Sequence, residues 1–143
     1  MNNATVALRI AVLSIDARDP GRVADFWAAA LGWEAWPDPD EGGVSLAPPG
    51  SSGPSGLGGP SIDVFPVPEA KTVKNRLHLD LRADGTTQAE EVDRLLDLGA
   101  TRVAVGQDPG VSWVVLADPE GNEFCVLQRS VQEVEATSGS GQS

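Results

Sequence analysis

Apolar and polar positions along the chain alternate between two rhythms. Val6 to Ala17, "VALRIAVLSIDA", is aliphatic and β-branched and predicts a buried strand. "DPGRVADFWAAALG" then changes period: Val23, Phe26, Trp27, Ala30 and Leu31 fall at helical spacing and form one apolar stripe. Asp19 suits the cap, Pro20 the first helical position and Gly32 the stop. "WEAWP", the turn-rich "DPDEGG" and "VSLA" predict a β-hairpin. Pro48 to Pro60 is a long Pro/Gly/Ser loop, either a lid or without fixed structure, and "SIDVFPV" is a short strand beyond it.

The rhythm then restarts. Asn75 to Ala83 alternates and predicts a strand, with Leu77, Leu79 and Leu81 on the helix-covered face and His78, Asp80 and Arg82 on the other. "TTQAEEVDRLLDLG" predicts a helix capped by Thr86 or Thr87, with Glu90 as the reciprocal acid and Gly99 at the stop. Val92, Leu95, Leu96 and Leu98 form its stripe. "ATRVAVGQ", "SWVVLAD" and "EFCVLQ" are three further strands, the last two joined by "PEGN", a turn by composition.

The order is therefore β-α-β-β-β, twice. The halves also echo each other: "ALG" answers "DLG", and "VSLAPPG" answers "VVLADPEG". A repeated unit of this size is a duplicated module and not a solenoid. The expected fold is α+β: two curved sheets, each backed by a helix, around a cleft. The modules span 6–67 and 74–130 within a single domain of 6–130. Residues 131–143 end in Gly and Ser without periodicity and are expected to form a flexible tail.

Composition narrows the function classes. The chain has 143 residues, enough for one modest core, and a formal net charge of -11. That charge repels phosphate backbones and anionic bilayers and favours the approach of cations, so nucleic acid and membrane are not expected partners. No apolar run approaches the ~20 residues of a membrane span. The start carries no basic region ahead of its apolar run, and one cysteine makes no internal disulfide. A cytoplasmic protein is expected.

The duplicated β-α-β-β-β order, "DPGRVADFWAAALGW" and "DPEGNEFCVLQ" together resemble the vicinal oxygen chelate superfamily, in its glyoxalase-like and bleomycin-resistance branch. The resemblance covers about residues 6 to 130. It implies a glyoxalase/bleomycin resistance-like fold, a homodimer, and in the enzymes of the group a divalent metal. Those ligands come from the first strand of each module and from the closing strands. Carried over residue by residue, the first position falls on Val12, which offers no donor, and its second-module counterpart on His78. The closing-strand acid falls on Cys125. No cofactor is therefore expected, since a hard cation needs several converging oxygen or imidazole donors. The alternative is a displaced divalent-metal site built from His78, Glu123 and Asp63.

Matching the two helix ends also pairs Ser14 with Asp80 and Asp16 with Arg82. The expected ligand-binding residues are Val12, Ser14, Asp80, Glu123 and Cys125, with Trp33, Trp36 and Trp113 offering flat indole surfaces. Trp27 belongs to the helix stripe and is expected in the core. Cys125 has no cation beside it in sequence and reads as a small hydrophobe. Two functions follow. One is a module that binds a small organic molecule, aromatic or cationic, without the usual metal. The other is a glyoxalase-like lyase, isomerase or dioxygenase, in which a displaced metal or His78 acid–base chemistry does the work.

Overall fold

The computed structural model describes residues 6–51, 53, 58–103 and 112–140. The chain divides between Glu69 and Ala70 into two units. In the first, β1 (Val12–Ala17) leads into α1 (Pro20–Leu31), followed by β2 (Glu34–Pro37), β3 (Val44–Ala47) and β4 (Ser61–Pro66). In the second, β5 (Asp80–Leu81) leads into α2 (Gln88–Asp97), then β6 (Thr101–Arg102), β7 (Val114–Ala117), β8 (Glu123–Val126) and α3 (Val131–Ser140). The strand orders are β1-β4-β3-β2 and β5-β8-β7-β6, the same mixed sheet built twice. In each, the opening strand runs parallel to the closing one and the other pairs are antiparallel.

Local chemistry sets the helix ends. The Asp19 carboxylate accepts the Arg22 N–H at 3.2 Å, Pro20 opens α1, and Gly32 closes it at φ 69°, a left-handed turn that glycine adopts without strain. Thr87 and Glu90 form a reciprocal capping box at the start of α2. The stripe of α1 becomes core: Val23, Phe26 and Trp27 are buried, and the Phe26 and Trp27 rings meet edge to face at 5.1 Å. The helix packs on β3 and β4, where Leu46, Ile62 and Val64 are buried. In the second unit Val92 and Leu95 of α2 are buried, as are Leu116, Phe124 and Val126 of the sheet. Gln88 Nε2 ties the helix to the sheet by donating to the Val126 carbonyl at 3.1 Å.

Three elements differ from the sequence reading. The strand expected over Asn75–Ala83 shrinks to Asp80–Leu81, and Leu77 stands 84% exposed where alternation placed it under the helix. Glu123 takes the Asn75 N–H at 2.9 Å, so the start of that segment is held by a side chain in place of a ladder. Val6–Ala11 precede β1 and are exposed instead of forming its buried start. The third difference is α3, where the Gly/Ser-rich end pointed to a tail without regular structure. Ser130 and Glu133 explain it: Ser130 Oγ accepts the Glu133 N–H at 3.1 Å, and the Glu133 carboxylate accepts the Ser130 N–H at 2.9 Å. Much of the Pro48–Pro60 loop and of the strand expected at "ATRVAVGQ" lies outside the described residues.

Candidate functional site

The first sheet has one apolar and one mixed face. Leu13 and Ile15 share the face of Leu46, Ile62 and Val64, the side on which α1 packs. Strand alternation then puts Val12, Ser14 and Asp16 on the opposite face, where all three are exposed. Register joins Ser14 to Asp63, Asp63 to Ser45 and Ser45 to Trp36. An indole, two hydroxyls and a carboxylate thus form one row across four strands. With neighbouring strands about 4.8 Å apart, Trp36 and Asp63 stand roughly 10 Å apart at the backbone, the span of a small ring system. Beside this row, Ser61 is buried and its Oγ has no hydrogen-bond partner among the described residues. Trp33 lies before β2 and not within it; its N–H donates to the Ala28 carbonyl at 3.0 Å and so belongs to the end of α1.

The second sheet repeats the arrangement with different chemistry. Asp80 on β5 faces Cys125 on β8, and Cys125 faces Val115 on β7. The Cys125 N–H donates to the Leu79 carbonyl at 2.9 Å, which fixes this register. His78 Nδ1 lies 3.0 Å from Asp80 Oδ1. One donor atom each from His78, Asp80 and Cys125 lies within 4.8 Å of the other two. His78 and Asp80 have half-exposed side chains, whereas Cys125 is buried. Burial pushes the Cys125 thiol above its ordinary pKa; the Asp80 carboxylate pushes it further by charge and as a hydrogen-bond acceptor, with Lys74 acting the other way. The thiol is therefore not an activated nucleophile, in keeping with its reading as a small hydrophobe.

Glu123 sits apart from this group. Its carboxylate takes Lys71 Nζ at 3.0 Å and the Asn75 N–H at 2.9 Å. Burial raises its pKa, but those hydrogen bonds outweigh burial and leave it lowered overall. Asp118, also buried, accepts the N–H groups of Glu120 at 2.9 Å and Asn122 at 3.0 Å. With Gly121 at φ 94°, it makes "DPEGN" a turn. Trp113 lies just before β7 and is 42% exposed.

The donors do not fit the hard divalent cation that the family resemblance implies. Val12 supplies no donor on β1, a thiol stands in the acid position, and Glu123 is held by Lys71 and Asn75. Asp63 lies on β4 of the first unit.

A duplicated βαβββ module with the opening strand parallel to the closing one defines a paired-module α+β protein. Residues 12–127 match the glyoxalase-like domain, and the chain belongs to that family. No curated protein matches it in sequence. Solved structures share the fold. The fosfomycin resistance protein FosX from Mesorhizobium loti aligns with a TM-score of 0.60 and 13% identity, over 93% of this chain and 99% of that one. A glyoxalase/bleomycin resistance protein/dioxygenase family enzyme from Burkholderia phytofirmans aligns at 0.55 and 20% identity, over 83% and 97%. The antibiotic binding protein TnmS3 from a Streptomyces species aligns at 0.51 and 17% identity, over 89% and 100%. Among the described residues, no helix is long and apolar enough to cross a membrane.

Proposed function

We propose that this chain binds a small organic molecule, aromatic and cationic, against the mixed face of the first sheet, without the hard-metal set of its enzymatic relatives. The observation that carries this reading is the row Trp36–Ser45–Asp63–Ser14. An indole face attracts cations and stacks on planar rings, a carboxylate about two strands away balances a positive charge, and two hydroxyls offer hydrogen bonds. The net charge of -11 steers cations toward the protein. TnmS3, which shares the fold, is an antibiotic binding protein. The reading includes a cytoplasmic location, in line with a single cysteine that makes no internal disulfide.

The test is tryptophan fluorescence of the full chain titrated with ethidium and with metal-free bleomycin, each with EDTA present. Saturable quenching is expected from at least one of them, weakened about tenfold by Trp36→Ala and by Asp63→Asn, as loss of roughly 1.4 kcal/mol of contact requires. Absence of saturable binding with both probes overturns the reading, as does binding indifferent to both substitutions. Binding that appears only when a metal replaces EDTA overturns its metal-free part.

The same reading includes a homodimer. Val6, Leu8 and Ile10 alternate ahead of β1 and are 73% to 102% exposed, and Val12 continues the pattern at 39%. Such an apolar edge is costly to leave in water and suits a second copy of the chain. Light scattering at tens of micromolar is expected to give twice the chain mass; a monomer at that concentration removes this part of the reading.

A further inference from the structure

The second sheet carries a feature that organic-ligand binding on the first sheet does not use. His78, Asp80 and Cys125 bring an imidazole, a carboxylate and a thiol together, with donor atoms within 4.8 Å of one another. All three belong to one unit, and two of them are register partners in one ladder. We propose that they form a three-ligand site for a thiophilic divalent cation, Zn²⁺ in the first instance, with its remaining coordination position open to water or a ligand.

The donor set decides which metal. Oxygen-rich cages select Mg²⁺, Ca²⁺ and Mn²⁺, whereas one sulfur, one nitrogen and one oxygen suit Zn²⁺. Zinc bonds of about 2.0–2.3 Å in a tetrahedral array place donors roughly 3.3–3.8 Å apart. The spread of up to 4.8 Å needs a contraction of at most about 1.5 Å, by that same geometry. His78 and Asp80 supply it, because their side chains are 41% and 51% exposed and free to change rotamer. Cys125 is the fixed partner: buried, held in register by the Leu79 carbonyl, and backed by Val115. Two mobile donors above one fixed thiol leave the solvent side open. The Asp80 carboxylate stands beside both other groups, with His78 Nδ1 3.0 Å away and Cys125 as its register partner on β8.

Binding is an exchange of cation for proton. The Cys125 S–H bond breaks, an S–Zn bond forms, and the proton leaves to solvent, while an imidazole nitrogen of His78 and a carboxylate oxygen of Asp80 donate lone pairs. The family's acid position has become a thiol, so the same place in the fold changes the class of cation it selects.

The experiment uses the full-length, reduced protein freed of metal, with Co²⁺ as an optical stand-in and Zn²⁺ in competition against a chromophoric chelator. The expected result is one ion per chain, a thiolate-to-cobalt charge-transfer band, and displacement of Co²⁺ by Zn²⁺ but not by excess Mg²⁺. Cys125→Ser is expected to abolish the band. His78→Ala and Asp80→Asn are expected to weaken Zn²⁺ binding by at least about tenfold. The His78 substitution lies at a half-exposed side chain, so it remains informative if Cys125→Ser fails to fold. Absence of the band in the folded wild type overturns the proposal, as does Zn²⁺ affinity unchanged by His78→Ala. Loss of ethidium or bleomycin quenching leaves this assay untouched, so the two proposals fail separately.

Discussion

Lys71 Nζ and Glu123 Oε2 form a 3.0 Å ion pair in which both side chains are largely shielded, 18% and 13% exposed. The same carboxylate accepts the Asn75 N–H, so one side chain fastens the segment leading into β5 to the start of β8. Glu123→Gln keeps the shape but removes the charge, leaving Lys71 with a weaker acceptor. A loss of about 1–3 kcal/mol in urea unfolding is expected. Lys71→Met in the same background should restore part of it, because the shielded cation is then gone as well.

Gly43 stands where β3 begins, and a Cβ there would lie 2.8 Å from the Val64 carbonyl oxygen. That oxygen belongs to backbone and does not yield as a flexible side chain does. Gly43→Ala is expected to destabilise the fold by about 1–3 kcal/mol. The strain falls near the Ser45–Asp63 pairing, so ethidium quenching should weaken alongside the melting temperature.

The C-terminal helix depends on Ser130. Removing its hydroxyl by Ser130→Ala should cost about 1 kcal/mol and lower the far-ultraviolet helical signal, whereas Ser130→Asp should preserve it. Truncation before Ser130 is the stronger version, and the helical signal lost should match one helix of this length.

Acid stability has a traceable contributor in Glu91. A hydrogen bond from Arg94 lowers its pKa, burial opposes this, and the charge of Arg94 reinforces the lowering. A carboxyl lowered in the folded state contributes stability above its ordinary pKa and loses it as pH falls through the folded value. Wild-type stability should therefore drop on acidification in the carboxylate range. Arg94→Ala should flatten that slope by restoring the Glu91 pKa, while changing neutral-pH stability by only about 0.3–0.5 kcal/mol.

What could be read in advance follows from how far each determinant reaches. Asp19, Pro20 and Gly32 act within one helix turn of where they stand, so the ends of α1 were legible, as was the cap of α2. Trp27 was legible as core because helical spacing alone places it with Val23 and Phe26. The alternation of "LHLDLRA" predicted which side Asp80 occupies but not that pairing would shrink to Asp80 and Leu81. Pairing is a property of the partner strand, and Glu123 had already engaged Asn75 there. The capping box at Ser130 was present in "SVQE" and was overshadowed by the Gly/Ser composition that follows. The convergence of His78, Asp80 and Cys125 came from the register of a ladder between distant segments. Cys125 was read there as a lost carboxylate, whereas its register partner across the ladder is itself a carboxylate, Asp80.

Cys125 is the chain's only thiol, and it is 8% exposed on β8, one of the two inner strands of its sheet. A bulky thiol reagent reaches it only in transient openings that move aside the groups covering it, the His78 and Asp80 side chains among them. Its labelling rate in native buffer is thus a stopwatch for transient openings of the second sheet, with no engineered probe. A cation seated on the sulfur would stop that watch, so the pace of a single alkylation reports both breathing and occupancy.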